Sequence, residues 1–182
     1  MRIAYQGPIR LVLFDVDGVL TDGSLHIDGQ GEHAKVFNVR DGLAVALLRA
    51  HGIRVGILSG KSSAPLDYRI RQLKFDVAVT GHLEKRKAYG EIKGGQELAD
   101  AQIAYVGDDV VDLPLAGLVG LFYAPSDAHP LVLAEADHVV NTRGGFGVAR
   151  EVAEHILLTG GLTLKQAYRP LIEHWGHYHD VQ

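Results

Sequence analysis

Cysteine is absent from the 182-residue chain. That excludes a disulfide framework, a thiolate metal site and a cysteine nucleophile. Long hydrophobic runs are missing too. The longest stretch without a charged residue, Leu113 to Ser126, spans 14 residues and is broken by proline and glycine. A bilayer crossing needs about 20 apolar residues. The opening MRIAYQGPIRLVLFDVDG has no basic, apolar and small-residue layout of a secretion signal. Basic residues are not in excess: 18 Lys and Arg face 22 Asp and Glu, a formal net charge of −4. Nonspecific nucleic-acid binding requires a basic face. There are no internal repeats, low-complexity tracts or linkers. The expectation is a cytoplasmic domain with neither a nucleic-acid nor a membrane partner.

What is present is a core. Leu, Ile, Val and Phe supply 57 of the 182 residues, about 31% and well above the roughly 20% below which disorder is expected. Short apolar runs at Ile9–Phe14, Ile53–Leu58, Val77–Thr80 and Ile103–Val106 read as buried strands, with weaker ones at Val119–Tyr123 and His138–Val140. Between them, Leu43–Ala50, Ser62–Leu73, Lys85–Leu98 and Val148–Leu158 carry helical periodicity. Strands alternating with helices predict an α/β domain over residues 1–160, a doubly wound parallel sheet with helices on both faces. Ser24–Asn38 breaks the alternation: its period-two spacing around Asp28-Gly29-Gln30-Gly31 predicts a β-hairpin after the first strand. Residues 161–182 read as a C-terminal tail with a helix over Thr163–His174.

Ligands of an open parallel sheet bind beyond the carboxyl ends of its strands. Asp15, Asp17 and Gly18 follow the first strand, and Ser59 and Gly60 the second. Lys85 opens the helix after the third, and Gly107, Asp108, Asp109 and Asp112 follow the fourth. Taken singly, each has a plain reading: Asp-x-Asp as a loop turn, Ser-Gly as a helix cap, Lys85 as part of a solvated EKRK face. Together they bring acids, a hydroxyl and a lysine to one edge. Clustered carboxylates call for a hard cation such as Mg²⁺, which takes carboxylate oxygens, waters and substrate phosphate. Lysine, serine and glycine-rich backbone N–H groups bind phosphate. An aspartate left over can act as a covalent nucleophile.

With these residues in view, the chain resembles the haloacid dehalogenase (HAD) superfamily of aspartate-based phosphotransferases. The motifs are DVDGVLTDG (Asp15–Gly23), LSG (Leu58–Gly60), Lys85 and GDDVVD (Gly107–Asp112). The resemblance implies a Rossmann-like fold, Asp15 as nucleophile and Asp17 as general acid/base, with Ser59 and Lys85 on the phosphoryl oxygens. It also implies Mg²⁺ on Asp15, the Asp17 carbonyl and Asp108, with Asp112 orienting Lys85 or a metal-bound water. Asp15 and Ser59 are 44 positions apart, and Ser59 and Lys85 are 26 apart, so neither gap holds a cap domain.

FNVRDG (Phe37–Gly42), GHLEK (Gly81–Lys85), VGDDVVDLP (Val106–Pro114) and GGFGVARE (Gly144–Glu151) are similar to the capless 3-deoxy-D-manno-octulosonate 8-phosphate phosphatase family, from about Arg10 to Leu158. That resemblance implies a Mg²⁺-dependent homotetramer in which hairpins meet centrally and a neighbour helps close each site. It places Asn38, Arg40 and Asp41 at the substrate-facing end of the hairpin region, and Arg150 in a C-terminal signature. Lys61 stands where the family has arginine facing the sugar acid's carboxylate; lysine keeps the charge but loses the bidentate fork. A phosphatase for nine-carbon keto sugar acids, or one of broad specificity, therefore stays open. The rival from another class is an inactive oligomerisation module, which should have lost one of Asp15, Asp17, Lys85 or Asp108. His82, His129 and the tail's His174, His177 and His179 are given no chemistry.

Overall fold

The computed structural model describes residues 4–176. Six parallel strands form the central sheet: β1 (Leu11–Phe14), β4 (Arg54–Leu58), β5 (Val77–Val79), β6 (Ile103–Val106), β7 (Leu121–Ala124) and β8 (His138–Val139). Their order is β5-β4-β1-β6-β7-β8, so the chain reverses direction across the sheet between β1 and β6, where open α/β sheets bind ligands. Phe14 pairs with both Ile57 and Val106. The three central strands thus end level, and the residues that follow them share one edge.

Period-two alternation sends β1 side chains to opposite faces. Val12 and Phe14 join a core with helices α1 (Val39–Ala50), α2 (Ala64–Leu73), α5 (Val148–Thr159) and α6 (Leu164–Gly176). Leu11 and Leu13 join another with α3 (Lys85–Gln96) and α4 (Pro130–Glu135). Ala167 and Leu171 of α6 are buried in the first core, and His51 Nε2 at the end of α1 lies 2.8 Å from the Ala167 carbonyl. The segment after Gly160 is therefore packed on the domain as far as it is described. His177 and His179 lie outside the described residues.

Two boundaries and one helix differ from expectation for local reasons. Helix α1 starts at Val39 instead of Leu43, because the Asn38 side chain caps it by accepting from Arg40 N at 3.0 Å. Strand β7 begins at Leu121 instead of Val119. Gly120 N donates to the Asp100 and Ile103 carbonyls at 2.8 and 2.9 Å, and a Cβ there would sit 2.6 Å from Ala101 O. Helix α4 was not anticipated; its six residues are too few for periodicity, although His129-Pro130 forms a cap and first turn.

The hairpin forms a separate antiparallel ribbon of β2 (His26–Asp28) and β3 (Gly31–Ala34). Asp28 Oδ1 accepts from Gln30 N at 2.8 Å and closes its turn. Its apolar side chains stay largely open: Leu25, Ile27 and Val36 are 46%, 63% and 65% exposed. Among the described residues, no helix is long and apolar enough to cross a membrane, and no cap domain separates the motif segments.

Candidate active site

Asp15 leaves β1 in register, its N–H donating to the Val106 carbonyl at 2.9 Å. Its carboxylate is held at both oxygens: Oδ1 accepts from Val16 N at 2.7 Å, and Oδ2 lies 2.7 Å from Lys85 Nζ. Lys85 is 1% exposed. An ammonium this deep needs partners, and it has Asp15, Asp112 and the Tyr105 hydroxyl, the last at 2.9 Å. Burial pulls the Lys85 ammonium toward neutrality, but Asp15 and Asp112 outweigh it and hold its pKa above the ordinary value.

Asp112 is fully buried and fully used. Oδ1 takes Lys85 and the Tyr105 hydroxyl, while Oδ2 accepts from Asp108 N and Asp109 N at 2.9 and 3.1 Å. Of the two partners left open for Asp112, Lys85 is the one it contacts here. The same carboxylate also shapes the Gly107–Asp109 turn that presents Asp108. A Cβ on Gly107 would lie 2.4 Å from the Asp112 carboxyl carbon.

Asp15, Asp108 and Asp112 each offer an oxygen within 4.8 Å of the others. Three carboxylates face one ammonium here. Burial first, then Lys85 and Asp112 in opposite senses, brings Asp15 up to about 6. Burial, reinforced by Asp15 and Asp112, brings Asp108 up to about 8. Asp108 Oδ1 is buried and has no hydrogen-bond partner. Hard oxygen donors with surplus negative charge and an unpartnered buried carboxylate fit Mg²⁺. Asp15 and Asp108 would hold it, since the Asp112 oxygens are committed elsewhere.

Gly18 adopts φ +87°, and a Cβ there would fall 1.9 Å from Asp108 Oδ2; only glycine lets the two strand-end loops meet. The GGFG segment acts likewise from the other side. A Cβ on Gly144 would lie 2.1 Å from Gly18 O, and one on Gly145 2.5 Å from Asp22 N. Gly145 N donates to Val19 O at 3.0 Å, and Gly144 N to Asp127 Oδ1 at 2.9 Å. The open cleft of about 270 Å³ is lined by Asp17, Asp22, Asp108, Asp109 and Asp127 among others.

Ser59 is buried beside this edge, its Oγ accepting from Lys61 N at 3.3 Å. Gly60 passes close under Leu83, where a Cβ would come within 2.9 Å of Cδ2. Lys61 and Arg40 are exposed, and neither lines that cleft. Asn38 and Asp41 of the hairpin region and Arg150 of the C-terminal signature do not line it either. Asn38 caps α1 and donates to Gly145 O at 3.3 Å. Asp41 is buried, accepting from Ala149 N at 3.0 Å at the start of α5. Arg150 pairs with Glu154 at 2.6 Å and stacks on Tyr168. Their visible work is in the frame: they fix α1, α5 and α6 to one another.

Sequence reasoning missed Tyr105 and Lys35. A hydroxyl inside the buried run IAYV was the available signal for Tyr105. Lys35 had none, because its partner Asp17 lies 18 residues away.

A level strand edge with a lysine-held aspartate, a second aspartate two residues on, and an acidic cation site defines a phosphotransferase of the HAD superfamily. No protein-family model matches the chain. The 3-deoxy-D-manno-octulosonate 8-phosphate phosphatase of Haemophilus influenzae is 43% identical, over 84% of this chain and 85% of its own length. That of Yersinia pestis is 41% identical, over 82% and 80% respectively. The cobalt-bound H. influenzae structure superposes with a TM-score of 0.84 at 40% identity, covering 89% of this chain and 97% of that one. The Moraxella catarrhalis enzyme, solved with magnesium, phosphate and KDO, gives 0.79 at 33% identity, covering 82% and 86%. This chain belongs to the 3-deoxy-D-manno-octulosonate 8-phosphate phosphatase family.

Proposed function

We propose that the chain is a cytoplasmic, Mg²⁺-dependent phosphatase that hydrolyses 3-deoxy-D-manno-octulosonate 8-phosphate to the free sugar acid and phosphate. The observation that carries this reading is the Asp15 carboxylate, pinned by Val16 N and Lys85 at the crossover edge of the sheet. Asp15 forms a bond to phosphorus as the ester P–O bond breaks, and Asp17 gives its proton to the departing sugar oxygen. Asp17 then takes a proton from water as that water displaces Asp15 from the aspartyl-phosphate, releasing inorganic phosphate. Lys85 and Ser59 hold phosphoryl oxygens. When bound by Asp15, the Asp17 carbonyl and Asp108, Mg²⁺ offsets negative charge in the transition state.

The substrate assignment rests on the relatives' activity together with the exposed cation Lys61, which follows Ser59-Gly60 directly. The cleft lining itself is acidic, and the hairpin's bare apolar side chains call for a partner, as a two-stranded ribbon is marginal alone. Both features support a homotetramer in which a neighbour closes the site over the substrate.

The test is phosphate release with Mg²⁺ from a panel of eight- and nine-carbon keto sugar acid phosphates, hexose phosphates and a phosphopeptide, run beside Asp15→Asn. Preference for the eight-carbon acid, with Asp15→Asn at least about 10³-fold slower, is the expected result. Preference for the nine-carbon acid would reassign the substrate and leave the chemistry standing. Wild-type rates from a folded Asp15→Asn chain would remove the nucleophile assignment.

A further inference from the structure

Lys35 closes the hairpin and reaches back over the loop that follows β1. Its side chain is buried, and Nζ pairs with Asp17 Oδ1 and lies 2.7 Å from Glu32 Oε1. A buried ammonium facing two carboxylates is costly to set up and is not a casual surface pair. Thr21 is also buried, and its Oγ1 lies 3.4 Å from the same Asp17 oxygen. Lys35 thus takes Oδ1, the Thr21 proton is shared between that oxygen and the Val16 carbonyl at 3.3 Å, and Asp17 Oδ2 makes no hydrogen bond to any described residue.

From this asymmetry we infer that Lys35, itself held by Glu32, is a positioning residue: it clamps one oxygen of Asp17 so that the other is aimed at the leaving oxygen of the phosphate ester. The inference rests on Asp17 being the general acid/base of the proposed reaction. A carboxyl group rotates about its Cβ–Cγ bond through a broad torsional well. Without a fixed donor on one oxygen, the protonated oxygen has no defined direction. Lys35 touches neither substrate nor phosphorus, so its whole effect passes through Asp17. Because Lys35 follows β3 directly, the seating of the hairpin sets the aim of the acid.

The experiment separates aim from frame. General acid assistance matters for a poor alkoxide leaving group and little for an activated aryl one. The paired variant Lys35→Met with Glu32→Gln removes the ammonium and the Glu32 carboxylate together, so the one carboxylate left without its cation is that of Asp17, whose side chain is 19% exposed. Its kcat/KM, which reports steps up to departure of the leaving group, is measured with Mg²⁺ over a series of alkyl and aryl phosphates including p-nitrophenyl phosphate. Asp17→Asn is the parallel control, and inhibition by inorganic phosphate reports the phosphoryl site. The paired variant is expected to lose about 10- to 100-fold on alkyl esters and at least tenfold less on the aryl ester, with phosphate inhibition unchanged. Equal loss on both ester classes, or none, beside a leaving-group-selective Asp17→Asn overturns the role of Lys35 alone. An Asp17→Asn variant without selectivity overturns the general-acid reading and this inference with it.

Discussion

Tyr105→Phe isolates the support beneath the reactive lysine. The hydroxyl donates to Asp112 Oδ1 at 2.5 Å and accepts from Lys85 Nζ at 2.9 Å. The ring is fully buried and stacked on Phe122 at 5.9 Å, so phenylalanine keeps the packing and removes only oxygen. A hydrogen bond to a charged group contributes about 1.5–3 kcal/mol. Asp112 keeps Lys85 and two backbone donors, and Lys85 keeps both carboxylates, so no charge is orphaned and the loss should stay near one such bond. For a chain of this size each kcal/mol moves the melting temperature by about 2–4 °C, giving a fall of about 3–12 °C. Thermal unfolding of the metal-free protein measures it, and urea unfolding with an unchanged m-value confirms that the native state is intact. With Lys85 still tied to Asp15, kcat/KM should drop less than about tenfold. An unchanged midpoint would show that the hydroxyl does not support the cluster. A loss beyond about 100-fold in kcat/KM at unchanged stability would mean that Tyr105 takes part in the reaction itself.

Mg²⁺ at 100 times its dissociation constant should stabilise the fold by about 2.7 kcal/mol, and Asp108→Asn should lose that gain. Since Asp15 and Asp108 are raised to about 6 and about 8, bound protons compete with the cation, so the thermal shift should grow between pH 6 and 8; a pH-independent shift contradicts the site. Asp41 is raised by burial to about 7, so folding favours its protonated form. The stability this confers is complete below about pH 4 and is lost as pH climbs through 7, at up to about 1.4 kcal/mol per unit. Urea unfolding of the metal-free protein should show that decline, and Asp41→Asn should flatten it. Light scattering should show a tetramer that Ile27→Asp with Val36→Asp breaks into smaller species; a wild-type monomer would leave those side chains uncovered.

Residues with a fixed offset from a strand end were readable in advance. Asp15, Ser59 and Asp108 each lie one or two residues beyond a strand, where parallel register brings them together, while Lys85 opens α3 after a five-residue loop. Asp112 was placed but its role was left open, because choosing between a lysine and a water needs the direction of two oxygens. The roles of Asn38 and Asp41 were not legible: a polar motif beside a predicted ligand site looks the same whether it faces substrate or caps a helix. That distinction is made by burial, which for Asp41 comes from α5, more than 100 residues later. Lys35 shows the same limit, since a lysine at the end of an exposed ribbon carries no sign of the carboxylate it will reach.

The contact of Gly144 and Gly145 with Gly18 and Asp22 is made by main chain against main chain. Two side chains hold the glycine segment against it, Asn38 donating to Gly145 O and Asp127 accepting from Gly144 N. The position of the reacting loop is in effect set by the path of the polypeptide. Lys61 and Arg40, by contrast, are exposed side chains. In the proposed function these cations meet the sugar acid, so substrate choice would change there without moving the phosphorus-handling groups, a scaffold for altering specificity while keeping the hydrolytic chemistry.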